Sequence, residues 1–245
     1  MRASALRRAP DGLAERLDAL SWQALAGALD ERGSALLRGL LSASDCRALI
    51  EEYARPERFR SRIDMARHRF GRGEYQYFAY PLPPIVQQLR SALYAPLAEI
   101  ANRWQQALRL PQRFPPQHAQ FLARCHQAGQ TRPTPLLLKY GPGDYNRLHQ
   151  DLYGDLYFPI QMVVLLDEPG RDFTGGEFVL TELKPRMQSR VEVVPLRQGD
   201  ACLFAVNHHP AKGVRGYYRA SMRHGVSQVR SGHRMTLGIT FHDAK

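Results

Sequence analysis

The sequence predicts an α+β protein whose first half is mainly helical and whose second half is a β-sandwich or jelly roll. Two observations carry this. Up to Gly129, apolar residues recur at three- and four-residue steps, the period of a helix with one buried stripe. From Pro135 the period changes, and short runs rich in Val, Leu, Ile and Phe alternate with Gly, Pro and Asp turns. A chain of 245 residues can bury a full core. A helical region 1–134, carrying a basic and aromatic stretch, and a β core 135–245 are therefore expected to pack as one structural unit.

Taken in order, residues 1–12 lack a periodic pattern and are expected to fray. Ser21 stands where it can cap a helix through Trp22, Leu25 and Leu29 that ends at Gly33, and 34–40 reads as a short strand. Ser42 to Asp45 has the form of a capping box opening a helix with Cys46, Leu49, Ile50 and Tyr53 inward. After Pro84 a long apolar stripe runs from Ile85 to Leu108, kinked or divided at Pro96, with Trp104 in the core like Trp22. A proline-rich linker, 111–116, precedes a further helix over 117–128. Strands are expected at 136–140, 160–166, 178–181, 191–194, 201–206, 224–229 and 234–241.

Lys and Arg number 34 against 23 Asp and Glu, a formal charge of +11, which favours anionic partners such as nucleic acid and equally fits a solvated basic surface. Three widely spaced cysteines suggest reduced thiols rather than a disulfide framework. No apolar stretch reaches the length of a membrane span, so a soluble, cytoplasmic protein is expected.

The chemistry concentrates in the second half. On a strand, His149 and Asp151 of the segment 140–151 share a face and can grip one ion. His224 would complete two histidines and a carboxylate, a set that occupies one face of an octahedral Fe(II) and leaves positions for a chelating co-substrate and dioxygen. Ten residues after His224 stands Arg234, expected on the next strand of a hairpin turning at 230–232. There Arg234, Thr236, Gly238 and Thr240 share one parity, and Met235, Leu237, Ile239 and Phe241 the other, so one face packs and the other presents a guanidinium and hydroxyls to a cavity. A buried guanidinium needs an anion, and a dicarboxylate supplies one. His208 or His209 could replace His224 but lack an Arg-x-Thr ten residues on; they are expected in a loop near the mouth. Glu177 reads as a turn or supporting hydrogen bond, and His242-Asp243 as surface.

His149-x-Asp151, His224, Arg234-x-Thr236, the preceding Tyr140, the Gly175–Phe178 segment and the Gly199–Phe204 segment together resemble an Fe(II)/2-oxoglutarate-dependent dioxygenase, over roughly residues 36–243. The layout is prolyl-hydroxylase-like, and the chain also resembles a bacterial branch described as acting oxidatively on damaged, alkylated DNA. The resemblance implies a double-stranded β-helix (jelly roll) core backed by the N-terminal helices. It further implies Fe(II) on His149, Asp151 and His224, dioxygen as oxidant, and 2-oxoglutarate with its far carboxylate on Arg234, assisted by Thr236 and Tyr140. The implied reaction is hydroxylation of a C–H bond; on a methyl carried by a base nitrogen it gives demethylation. Two departures stand out. Alkylated-base demethylases of this superfamily place a second arginine where this chain has Thr240, and prolyl hydroxylases generally use a lysine where it has Arg234.

Seven arginines between 55 and 72, followed by Tyr75, Tyr77, Phe78 and Tyr80, form the stretch most suggestive of a substrate. Arg58, Arg60 and Arg62 could hold phosphates while Tyr75 and Tyr77 stack on bases of a single-stranded or damaged nucleic acid. A second cluster, Arg215, Tyr217, Tyr218, Arg219 and Arg223, could frame the other side of the mouth. The same composition also suits a structural loop beneath the sheet. A protein side chain, an amino acid or a small metabolite is an open alternative as substrate, a non-catalytic nucleic-acid-binding β-sandwich is a third class, and the oligomeric state stays open.

Overall fold

The computed structural model describes residues 12–152, 154–214 and 216–245. The N-terminal segment expected to fray, up to residue 11, and Arg215 lie outside the described residues. Two antiparallel sheets face each other. The larger has strand order β1 (Ser34–Leu37), β11 (Ala201–Ala205), β7 (Ile160–Leu165), β15 (Arg234–Ile239), β5 (Leu136–Tyr140), β4 (Glu74–Phe78) and β2 (Phe59–Asp64), numbered along the chain. The smaller runs β10 (Arg190–Val194), β9 (Phe178–Leu183), β13 (Gly216–Val226), β6 (Tyr145–His149) and β3 (Gly71–Arg72), with β12 (His208–Gly213) also paired to β13. A separate ladder joins β8 (Phe173–Gly175) to β14 (Val229–Gly232). Phe178 of β9 meets Phe204 of β11 with ring centroids 5.2 Å apart, so the inner faces of the two sheets form one jelly-roll core.

Among the described residues, five α-helices cover the sandwich: α1 (Leu13–Asp18), α2 (Trp22–Arg32), α3 (Ala43–Glu52), α4 (Pro84–Ala107) and α5 (His118–Gln127). Helix α3 begins with the expected capping box, Ser42 accepting from the Asp45 N–H and the Asp45 carboxylate from the Ser42 N–H. Helix α2 ends at Gly33 in the left-handed region, φ 69°, where a Cβ would lie 2.7 Å from the His209 ring. Ser21 precedes α2 but makes no side-chain cap. Helix α4 runs through Pro96 as one element, so the proline does not divide it. Its buried stripe includes Val86, Leu89, Leu93, Leu97, Ile100 and Trp104. The three cysteines are free and buried, and burial pushes the Cys46 thiol up to about 12. No helix among the described residues is long and apolar enough to cross a membrane.

Three expectations are corrected. The segments carrying His224 and Arg234 are not a hairpin: β13 lies in the smaller sheet, β15 in the larger, and the chain crosses between them through β14. Successive strands of a jelly roll commonly change sheets, so sequence adjacency did not imply pairing. The stretch 55–80 is no loop; β2 and β4 form a ladder that extends the larger sheet next to β5. Finally, His242 and Asp243 are fully buried rather than on the surface. After β15 the chain passes beneath α4 and α5, where Arg90 pairs with Asp243 at 2.7 Å and donates to the Thr240 and His242 carbonyls. Tyr80 and His126 also bond the Asp243 carboxylate.

Candidate active site

His149 closes β6 and lies opposite His224 of β13 in register. Their ring centroids are 4.1 Å apart. Asp151 follows just beyond the strand and reaches both rings, Oδ1 lying 3.4 Å from His149 Nε2 and Oδ2 3.3 Å from His224 Nε2. One donor atom from each of the three can be chosen within 4.8 Å of the others. His149 Nδ1 is 2.7 Å from the Arg147 carbonyl; since a carbonyl only accepts, Nδ1 carries the proton, which leaves the Nε2 lone pair free for a cation shared with the other two residues. Gly225 lets β13 approach β6 here, for a Cβ would lie 2.8 Å from the Asn146 carbonyl.

The electrostatics suit a cation. Burial raises the cost of charging Asp151, but His224 and His149 hold its carboxyl well below the usual range. Burial, and then the neighbouring His149, lowers His224, although Asp151 opposes this. Burial also disfavours charge on His149, yet there the hydrogen bond and charge of Asp151 prevail and raise it. One carboxylate and two imidazoles within reach of a single point fit a divalent first-row metal, and the His149 ring is already oriented through its second nitrogen.

The triad lines a cavity of about 360 Å³ whose wall also includes Tyr140, Arg234 and Thr236. Arg234 lies opposite Tyr140 across β15 and β5, and Thr236 opposite Leu138. The guanidinium is 1 % exposed, and among the described residues its Nε and Nη1 have no hydrogen-bond partner. Burial depresses it to about 10, against the pull of Tyr140, Asp167 and Glu177. Gly176, φ 63°, makes room for it, because a Cβ there would sit 2.8 Å from Arg234 Cδ. A buried cation facing a cavity, with no carboxylate partner among the described residues, suits an anion.

All six residues expected to hold metal and co-substrate thus meet in one cavity. The six expected to bind substrate do not: of Arg58, Arg60, Arg62, Tyr75, Tyr77 and Tyr217, Tyr75 alone lines it. Arg58 is bonded to Glu52 and Arg62 to Glu74, while Arg60 donates to the Pro133 carbonyl and lies over the Tyr77 ring. Tyr75 and Tyr77 are each 9 % exposed and pack edge to face, as strand residues directed into the core. Tyr217 is exposed, beside Arg109 and Arg219 in a separate depression. A larger and more open depression of about 760 Å³ beside β2 and β4 contains no triad residue, and it mixes Arg62, Arg67 and Lys139 with Asp64, Glu74 and Asp144. The chemistry belongs to the smaller cavity.

His208 and His209 lie on β12, not in a loop at the mouth, and neither lines the cavity; His209 is buried against Glu182 at 2.9 Å. Glu177 bonds Ser227 through its N–H and its carboxylate, pinning the start of β9 to the segment after β13. Sequence reasoning missed Gln161, whose amide donates to Asp151 Oδ2 at 3.0 Å, and the mouth residues Phe70 and Arg147; Arg69, also at the mouth, was one of the seven arginines of the basic stretch. For Gln161 a signal existed, a lone amide in the apolar run 160–166.

A jelly roll whose cavity is lined by this triad and by a buried arginine with Nε and Nη1 free of partners among the described residues has the features of the 2-oxoglutarate/Fe(II) oxygenase class. Residues 73–244 match the model of the Oxygenase-NA family, described as an oxygenase catalysing oxidative methylation of damaged DNA, and the chain belongs to that family. An uncharacterized protein of Mycobacterium tuberculosis H37Rv is 46 % identical over 167 residues, covering 68 % of this chain and 72 % of the relative. The fold is similar to a Pseudomonas putida prolyl-4-hydroxylase, with TM-score 0.53 and 18 % identity over 91 % of this chain and 99 % of that one. It is also similar to an oxidoreductase of the 2OG-Fe(II) oxygenase family from Burkholderia pseudomallei, with TM-score 0.50 and 15 % identity over 97 % and 95 % of the two chains.

Proposed function

We propose that this chain hydroxylates a substrate C–H bond, with His149, Asp151 and His224 holding Fe(II) and with Arg234, Thr236 and Tyr140 holding 2-oxoglutarate. The observation that carries this reading is the unpaired Arg234 guanidinium in the same cavity as the triad. When bound, the iron supplies activation of dioxygen coupled to oxidative decarboxylation of 2-oxoglutarate. The chain supplies geometry. Arg234 receives the far carboxylate as a charge-assisted pair, the Thr236 hydroxyl stands two residues on along the same strand face, and the Tyr140 phenol, raised to about 12 chiefly by burial, stays a hydrogen-bond donor. Phe178, Phe204, Leu138 and Val226 line the cavity and exclude water. The Asp151 carboxyl is held below its usual range and His224 below its own, directions that favour the ionised carboxylate and neutral imidazole a metal requires.

For the substrate, the family description and the mouth of the cavity support a nucleic acid. Phe70 is 49 % exposed, stacks on His68 at 5.4 Å and is flanked on the rim by Arg69 and Arg147. An exposed ring between two guanidinium groups suits an unpaired base and its phosphates, and a base must leave the stack to reach a recessed metal. Oxygen inserted into a methyl on a base nitrogen gives a hydroxymethyl that leaves as formaldehyde, so such a site removes the methyl group.

The test is succinate formation from 2-oxoglutarate with single-stranded oligonucleotides bearing N-methylated bases, run beside proline-containing peptides. Formaldehyde release with the oligonucleotides, weakened by Arg69→Glu with Arg147→Glu, is expected, with log K falling by ~0.7 per phosphate contacted as log salt rises. Turnover of the peptides alone would transfer the assignment to a protein hydroxylase. Absence of 2-oxoglutarate binding would overturn the oxygenase reading.

A further inference from the structure

We infer that Gln161 is a positioning residue that reserves one oxygen of Asp151 for the metal. Gln161 is 3 % exposed and sits on β7 of the larger sheet, whereas His149 and His224 are in the smaller sheet and Asp151 follows β6. Its side chain crosses the sandwich, and its Nε2 lies 3.0 Å from Asp151 Oδ2 and 3.4 Å from His224 Nε2. A carboxylate can only accept, so the amide faces it through N–H, and the carbonyl end, which would repel the anion, is turned away. The cross-strand partner of Gln161 is Phe204, whose ring packs 4.8 Å from that of His224, so the same two strands fix the amide and one imidazole.

The consequence concerns how many positions the protein occupies. With Oδ2 engaged by the amide, Asp151 ligates through Oδ1 alone, and the three residues take three metal positions rather than four. The positions a chelating co-substrate and a third ligand require stay open. Removing the amide frees Oδ2 to swing onto the metal and loosens the carboxylate, as loss of a group bonded to a ligand commonly weakens metal binding by about 10–100-fold.

This inference rests on the triad being the metal site. The experiment titrates the full chain with Co(II) alone, for the parent and Gln161→Leu, following the visible absorption of the bound ion, while thermal melting reports folding. Gln161→Leu is expected to bind Co(II) about 10–100-fold more weakly and to show an altered visible absorption, as its ligand set changes. A folded Gln161→Leu with the parent's affinity and spectrum would overturn the inference. Should that variant fail to fold, Gln161→Met, closer in shape, is judged by the same two readouts. A parent that binds no Co(II) would instead overturn the triad reading, and this inference with it.

Discussion

Arg234 and Tyr140 are directly opposed partners across two strands, yet the guanidinium carbon lies 5.5 Å from the phenol ring centroid. Nε and Nη1 of that guanidinium make no hydrogen bond among the described residues. The protein therefore carries the cost of a buried charge until an anion arrives. Arg234→Met should raise the thermal midpoint of the ligand-free protein, by about 2–4 °C for each kcal/mol relieved. The same change should weaken 2-oxoglutarate binding by about a hundredfold or more, the equivalent of several kcal/mol. Calorimetry and melting on one sample check both; unchanged affinity would contradict the assignment.

His149→Ala and His224→Ala should each abolish stoichiometric Fe(II) binding while the chain still folds, since one imidazole and one carboxylate do not hold the ion against buffer. Metal analysis after anaerobic loading and desalting decides this. Full metal content in both variants would remove the triad.

Asp243→Ala should destabilise the chain by about 3–5 kcal/mol, because it leaves Arg90 charged and buried. The pair is 2.7 Å long, and its side chains are 1 % and 0 % exposed. Urea unfolding measures the loss. A change under about 1 kcal/mol, the value of an exposed pair, would show that water reaches the site.

Stability should fall as the pH drops from 6.5 towards 4. Burial, and then the charge of Arg90, lowers both His118 and His242 from the ordinary imidazole value of 6.5 to about 4. Between those values the unfolded chain binds protons that the folded chain refuses, so acid favours unfolding; above 6.5 neither state is charged and the effect vanishes. Each histidine contributes at most about 3 kcal/mol over that window. His118→Gln, which keeps an N–H for the Phe241 carbonyl, should remove part of the slope. A urea midpoint flat over this range would exclude the effect.

Much of the site was legible because its chemistry is local in sequence. His149 and Asp151 are two residues apart, and the parity of Arg234 and Thr236 assigned them to a cavity face before any pairing was known. What stayed hidden depends on pairing between distant segments. The register of His224 against His149, the reach of Gln161 across the sandwich and the burial of Asp243 by Arg90 have no signature in periodicity. The arginine-rich stretch misled for a related reason. Composition showed the charges, but not that Glu52 and Glu74 already accept Arg58 and Arg62, or that β4 is buried on both faces, Tyr75 and Tyr77 included.

The triad belongs to one sheet and its trailing loop, while Arg234 belongs to the other. If metal and far carboxylate bind as proposed, the gap between the layers acts as a ruler for chain length in the co-substrate. A dicarboxylate one carbon shorter or longer than 2-oxoglutarate must either lose its grip on one end or force the layers to shift, and close-packed layers resist shifting. On that reading, discrimination among homologous oxo-acids would depend on the thickness of the sandwich, set in part by Phe178 and Phe204, whose rings meet between the layers. Trimming either ring should relax that selectivity before it abolishes binding.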